Sequence, residues 1–193
     1  MPAQHATSSE SKARGTRAPT ATQCRQEVLN MLKEDHRRVE KAFKDFEKLQ
    51  KAEDQDPAAC QSIVEQTCME LEVHARLEEE CFYPAVREAI EETDLIDEAE
   101  VEHQTVKTLI SQLQSMQPQD DKFAATFTVL GEYVMHHVKE EEGEMFRKLT
   151  RAKIDWANLL DTMQEQREAL MEEVGAPEPG ANGKSGAKGK RSH

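Results

Sequence analysis

Four stretches of this chain carry inward-type residues at alternating steps of four and three, and each of these seams contains one histidine. The first runs Val28, Leu32, His36, Val39, Phe43 and Phe46, and the second Ile63, Thr67, Leu71, His74, Glu78 and Cys81. The third holds Ile96, Ala99, His103, Val106, Ile110 and Leu113, and the fourth Phe123, Phe127, Leu130, Val134, His137 and Glu141. A repeat of this period marks one buried face of a helix. Four such helices with short connections predict an all-α, up-down-up-down four-helix bundle.

Local signals set the expected boundaries. The first helix opens near Gln23 and ends in the AEDQDP stretch, where Pro57 suits the opening of the second. The second runs from about Ala58 to Glu91, with a kink expected at Pro84. The third starts near Asp94 and stops before Pro118. The fourth opens near Asp120 and continues to Leu149. A fifth amphipathic stretch, with Ile154, Trp156, Leu159, Leu160, Met163 and Leu170, carries no histidine. The expected division is a disordered tail over 1–22, the bundle over 23–152, an accessory helix over 153–174 and a disordered basic tail over 175–193. The accessory helix is expected to cap the bundle or to form a homodimer. No solenoid-type repeat is visible.

Composition narrows the function. A net charge of −13 argues against nucleic-acid partners, which are held by neutralising phosphates with Lys and Arg. Cys24, Cys60, Cys68 and Cys81 show no CxxC spacing, so neither a zinc ribbon nor a thioredoxin-like motif is present. No apolar run is long enough to span a membrane. A cytoplasmic protein with reduced thiols is the expectation.

The four seam histidines demand an explanation, because a buried imidazole or carboxylate is costly to desolvate. A single histidine on an apolar face is usually a satisfied core residue. If about two of every seven helical positions face inward, four by chance come to about one in a hundred. His74 and His137 are each followed four residues later by a glutamate, Glu78 and Glu141, which places both side chains on one face. Four antiparallel helices can then aim four imidazoles and two carboxylates at one interior point. Mixed imidazole and carboxylate donors suit iron, manganese or zinc. Six donors exceed what one tetrahedral zinc needs, whereas two cations bridged by two glutamates use them all. A ferritin-like centre needs two Glu-x-x-His motifs, and only Glu100–His103 is a useful candidate. His136 and the outer members of the two EEE runs read as rim and solvated face. Met135, Met145 and Met163 read as packing.

The segments LKEDHRRVEKAF, LEVHARLEEECFYPAV, AEVEHQTVKTLI and YVMHHVKEEEGEMFRKL resemble, in order and spacing, the hemerythrin-like HHE cation-binding domain over roughly residues 25–150. The most specific piece is HxxxEExxxYP, here His74, Glu78, Glu79 and Tyr83-Pro84. The resemblance implies a four-helix bundle holding two non-haem iron ions. His36, His74, His103 and His137 would be terminal ligands, and Glu78 and Glu141 bridging carboxylates. Two positions depart from the oxygen-carrying members. Lys107 stands where they have a further histidine, and their last carboxylate corresponds to Glu142, whereas the stripe selects Glu141. One iron would then lack a nitrogen ligand, with water, Glu100 or Tyr133 as replacements.

Three functions follow as expectations. The first is a two-iron protein that binds or senses oxygen, iron or a related small molecule such as peroxide or nitric oxide. The second is an enzyme using the same centre on hydrogen peroxide or nitric oxide. The third is a helical interaction protein without metal.

Overall fold

The computed structural model describes residues 18–54 and 56–175; most of both predicted tails, with His5 and His193, lies outside the described residues. The first helix, α1 (Ala21–Gln50), opens two residues earlier than the periodicity predicts, because Thr20 and Gln23 form a capping box. The Gln23 N–H donates to the Thr20 hydroxyl at 3.3 Å, and the Thr20 N–H donates to the Gln23 side chain at 2.8 Å. Asp56 caps α2 (Pro57–Leu77) by accepting from the N–H groups of Ala58 and Ala59.

Beyond Leu77 the helical path continues through a π-turn, Glu78–Phe82, into α3 (Tyr83–Ala89). The expectation of one helix kinked at Pro84 is thus corrected. The wide turn lies immediately before the proline, whose ring would clash with the Glu80 carbonyl in a regular α-helix. A second π-turn, Glu141–Met145, follows α5 (Phe123–Glu140) with no proline nearby and leads into α6 (Phe146–Lys148). Both π-turns begin at an inward-facing glutamate, so proline is not their common cause.

Between these paths runs α4 (Asp94–Gln114). The start of α5 at Phe123 rather than near Asp120 has a local reason: the Asp120 carboxylate accepts from the Gln117 N–H at 2.8 Å, which commits Asp120 to the turn. The last helix, α7 (Trp156–Glu173), begins after its Asp155 cap rather than at 153.

Consecutive helices pack side by side, α1 on α2 and α4 on α5, and the pairs close through α1–α5 and α2–α4 contacts. This is the up-down-up-down bundle, with α7 laid against α1 and α2. Trp156, Leu159, Leu160, Met163 and Leu170 of α7 are buried. The core has two parts. One gathers Val28, Leu32, Phe82, Ile96, Leu149 and Trp156; the other gathers Val39, Phe46, Val64, Ile110, Phe127 and Leu130. His36, His74, His103 and His137 lie where each helix passes from one apolar cluster to the other. The polar waist is sealed at both ends.

Candidate metal centre

All six predicted donors are buried: His36, His74, Glu78, His103, His137 and Glu141 each expose 6% or less of their surface. They form two groups sharing Glu78. His36, His74, Glu78 and Glu141 make one, and Glu78, His103 and His137 the other. The His36 and His74 Nε2 atoms are 3.2 Å apart, and those of His103 and His137 are 3.4 Å apart. Two donors at right angles on one ion, each about 2.1 Å from it, lie about 3 Å apart.

The outer nitrogen of each ring fixes which way the inner one faces. His36 Nδ1–H donates to Glu142 at 2.8 Å and His74 Nδ1–H to Asp35 at 3.2 Å. His103 Nδ1–H donates to Glu79 at 3.0 Å and His137 Nδ1–H to Glu102 at 2.9 Å. A carboxylate accepting at Nδ1 leaves the Nε2 lone pair free and pointing into the waist, the usual device for presenting histidine to a metal. Paired bare lone pairs at such distances repel unless a proton or a cation lies between them.

The carboxylates show the same need. Glu78 Oε1 and both oxygens of Glu141 are buried with no hydrogen-bond partner among the described residues. His36 Nε2 lies 3.3 Å from Glu141 Oε2, which gives charge attraction without hydrogen-bond alignment. Tyr83 donates its hydroxyl to Glu78 Oε2 at 3.3 Å. Buried polar atoms are nearly always paired, so orphans concentrated at one point mark a missing positive partner.

Titration behaviour follows from this crowding. Burial alone would favour neutral imidazoles, but the Glu78 and Asp35 carboxylates outweigh it and raise His74 well above its ordinary value. His103 is raised to about 9, with Glu78 and Glu79 overcoming burial. Burial and the charge of Glu78 push Glu141 upward. Burial, followed by the charges of Glu78 and Glu141, holds the Tyr83 phenol well above its usual range. In the metal-free protein, protons occupy the place that the donor set offers to cations.

Two proposed substitutes for a missing ligand are corrected. Glu100 faces outward and pairs with Arg87 at 3.2 Å. Tyr133 is 44% exposed, because Val134 takes the inward position one turn before His137. Lys107 joins neither donor group; its ammonium holds both Glu79 oxygens, at 2.6 and 2.8 Å. His136 sits on the rim, 3.3 Å from Glu140 and 3.6 Å from Glu102.

The sequence reading missed the four carboxylates that hold the rings: Asp35, Glu79, Glu102 and Glu142. Each is the chain neighbour of a donor, as Asp35-His36, Glu78-Glu79, Glu102-His103 and Glu141-Glu142. The pairs recur as a short internal repeat. An acid-His pair on one helix is followed by His-x-x-x-Glu-Glu on the next, first on α1 and α2, then on α4 and α5. The contacts obey the same exchange. Asp35 holds His74 as Glu102 holds His137, and Glu142 holds His36 as Glu79 holds His103.

Comparison with known proteins agrees with this geometry. The model of the hemerythrin HHE cation binding domain matches residues 27–149. A curated protein of Nostoc sp. described as a DNA nickase is 30% identical over 119 residues, 62% of this chain and 32% of that protein. The chain thus spans about a third of the length of that relative. A crystal structure of a hemerythrin HHE cation binding domain-containing protein from Mycobacterium kansasii superposes with a TM-score of 0.61 at 24% identity. That match covers 75% of this chain and 87% of the other, and shows a shared fold.

Proposed function

The chain belongs to the hemerythrin HHE cation-binding domain family, and from that premise we propose that its waist holds two iron ions for binding or sensing a small molecule: oxygen, peroxide or nitric oxide. His36, His74 and Glu141 would hold one ion, His103 and His137 the other, with Glu78 within reach of both. The reading is carried by the three buried, partnerless carboxylate oxygens of Glu78 and Glu141, which face two pairs of Nε2 lone pairs. Iron fits such a donor set and would supply one-electron redox change. Val39, Leu71, Val106 and Val134 line a cavity beside the four rings with room of about 20 Å³. That is about the space of one water-sized occupant. The walls exclude bulk solvent and restrict the ligand to a few atoms, while the Tyr83 hydroxyl holds a proton at Glu78 Oε2.

Metal content per chain and the visible spectrum, on protein purified in air, test this. Two irons with bands characteristic of a bridged ferric pair support the reading. No iron, and none taken up on anaerobic ferrous reconstitution, overturns it in favour of a metal-free helical interaction protein.

A second reading, turnover of peroxide or nitric oxide, draws on Lys107. A lysine that is engaged with Glu79 adds no donor there, so an ion held by His103 and His137 would have more exchangeable positions. Peroxide consumption no faster than by free iron would exclude it. The strand cleavage named for the Nostoc relative is not carried over: a net charge of −13 opposes binding to phosphate backbones.

A further inference from the structure

The contacts of α7 reach beyond packing. Arg167 donates from Nη1 to Asp35 Oδ1 at 3.0 Å and from Nη2 to Asp35 Oδ2. Asp35 Oδ2 is the oxygen that receives His74 Nδ1–H. Arg38 adds a contact to Oδ1. A chain of polar contacts therefore runs from α7 through Asp35 to an inward imidazole, although α7 lies outside the family-matched residues 27–149.

We propose that Arg167 is a positioning residue for the metal centre: it fixes the Asp35 carboxylate in the plane and place from which Asp35 orients His74. The inference rests on the reading that the waist binds metal. The burial of the guanidinium supports it. Arg167 is 16% exposed in its side chain, and its Nε is buried with no hydrogen-bond partner among the described residues. Sinking an arginine this far is unfavourable unless a specific anion receives it. Holding α7 to the bundle does not require it. The same helix is tied down at the surface by Arg76–Glu173 at 2.9 Å and by Gln166 on Glu80, neither of which touches a residue that holds a ring.

The other three ring-holding carboxylates lack such a grip. Glu79 has the half-exposed Lys107, Glu142 has Lys33 at 3.8 Å, and Glu102 has the rim imidazole of His136 at 3.6 Å. Only Asp35 is clamped by a planar guanidinium through both of its oxygens. A two-point fork fixes orientation as well as position, which a single ammonium cannot do.

The test uses the full chain loaded with cobalt(II), whose visible bands report ligand geometry, and the metal-free protein observed by imidazole nitrogen NMR. Arg167→Met is expected to weaken cobalt binding about tenfold, the lower end for groups that orient a ligand. It should also shift the cobalt bands and speed exchange of the His74 Nδ1 proton. Arg167→Lys should fall between Met and wild type, and it carries the test if Arg167→Met does not fold. Arg76→Ala, which breaks the other α7 ion pair, should leave all three readouts unchanged. A loss of melting temperature in the Arg167 variants with wild-type cobalt bands, affinity and proton exchange overturns the proposal and leaves a packing role. If the wild-type chain takes up no cobalt, zinc or iron, the metal reading fails instead. The proton-exchange comparison then still decides whether Arg167 fixes His74.

Discussion

Replacing Glu141 with glutamine should separate stability from function in a way that a core residue cannot. Glu141 is 2% exposed, and neither of its oxygens has a hydrogen-bond partner among the described residues. Without metal, its carboxyl meets a second buried carboxyl, Glu78, whose charge with burial pushes Glu141 upward. An amide of the same shape removes that repulsion and offers an N–H donor toward the Glu78 carboxylate, a change worth about 1–3 kcal/mol. For a chain of this length about 1 kcal/mol moves the melting temperature by about 2–4 °C. Metal-free Glu141→Gln should therefore melt at or above the wild-type temperature, by up to about 10 °C. With metal the order reverses. A ligand at a hundred times its dissociation constant stabilises the native state by about 2.7 kcal/mol, and at a thousand times by about 4 kcal/mol. The wild-type chain should gain that increment and the variant should lose most of it. Differential scanning fluorimetry with and without anaerobic ferrous iron reads both arms. A variant that melts lower than wild type without metal, yet keeps the full metal-dependent rise, refutes the assignment and makes Glu141 a satisfied structural residue.

The remaining predictions address the surroundings of the site. Because His103 is raised from 6.5 to about 9 in the metal-free fold, its protonation stabilises that fold fully below about pH 6.5 and ceases to do so as pH rises through about 9. The melting temperature of metal-free protein should therefore fall across that window, and calorimetry in buffers of different ionisation heat should detect protons released by metal uptake at pH 7.5. Lys107→Met should keep wild-type metal stoichiometry, since Lys107 pairs with Glu79, and should cost under about 1 kcal/mol as a half-exposed ion pair; loss of one ion per chain on elemental analysis would contradict this. Val134→Phe should fill the cavity beside the rings, leaving metal content intact while slowing the reaction with oxygen or nitric oxide in stopped-flow absorbance; an unchanged rate would place ligand entry elsewhere.

The inward residues were legible because helical periodicity alone decides which side chains meet at a bundle axis. His36, His74, His103 and His137 interrupt seams that are otherwise largely apolar, and Glu78 and Glu141 sit one turn further along the same stripes. What periodicity misses is contact across helices. Glu79 and Glu142 look like solvated members of acidic runs, and Asp35 and Glu102 look like charged neighbours of a histidine. Each in fact reaches the ring of a different helix. Their signal was present as acids adjoining every donor pair, but it gains meaning only once the helices are placed. The π-turns left no pattern beyond Pro84, since an added residue shifts register without changing composition. The earlier start of α1 was readable, as Thr20-x-x-Gln23 is a capping box in plain sequence. Arg167 was not, because nothing local selects a partner 132 positions away.

The short internal repeat explains how the four rings are held. Each half contributes an acid-His pair and a His-x-x-x-Glu-Glu run, and exchanging the halves maps each carboxylate contact of an outer ring nitrogen onto another. The donors themselves divide unevenly: Glu78 stands with both groups, whereas Glu141 stands only with His36 and His74. Further departures from symmetry lie outside the donors. Tyr83 donates to Glu78 where the corresponding residue of the other half, Phe146, can only stack on His36, with centroids 6.5 Å apart. Lys107 holds Glu79 closely, whereas Lys33 stands 3.8 Å from Glu142. Asp35 is gripped by Arg38 and Arg167, whereas Glu102, among the described residues, pairs with His136 besides its ring. Each difference acts on a group that touches a donor, and through it on ring orientation, carboxylate charge or proton supply. Asymmetry between the two donor groups therefore draws on these flanking residues as well as on the placement of Glu141, and one of them, Arg167, is supplied by the helix that the family-matched segment does not include.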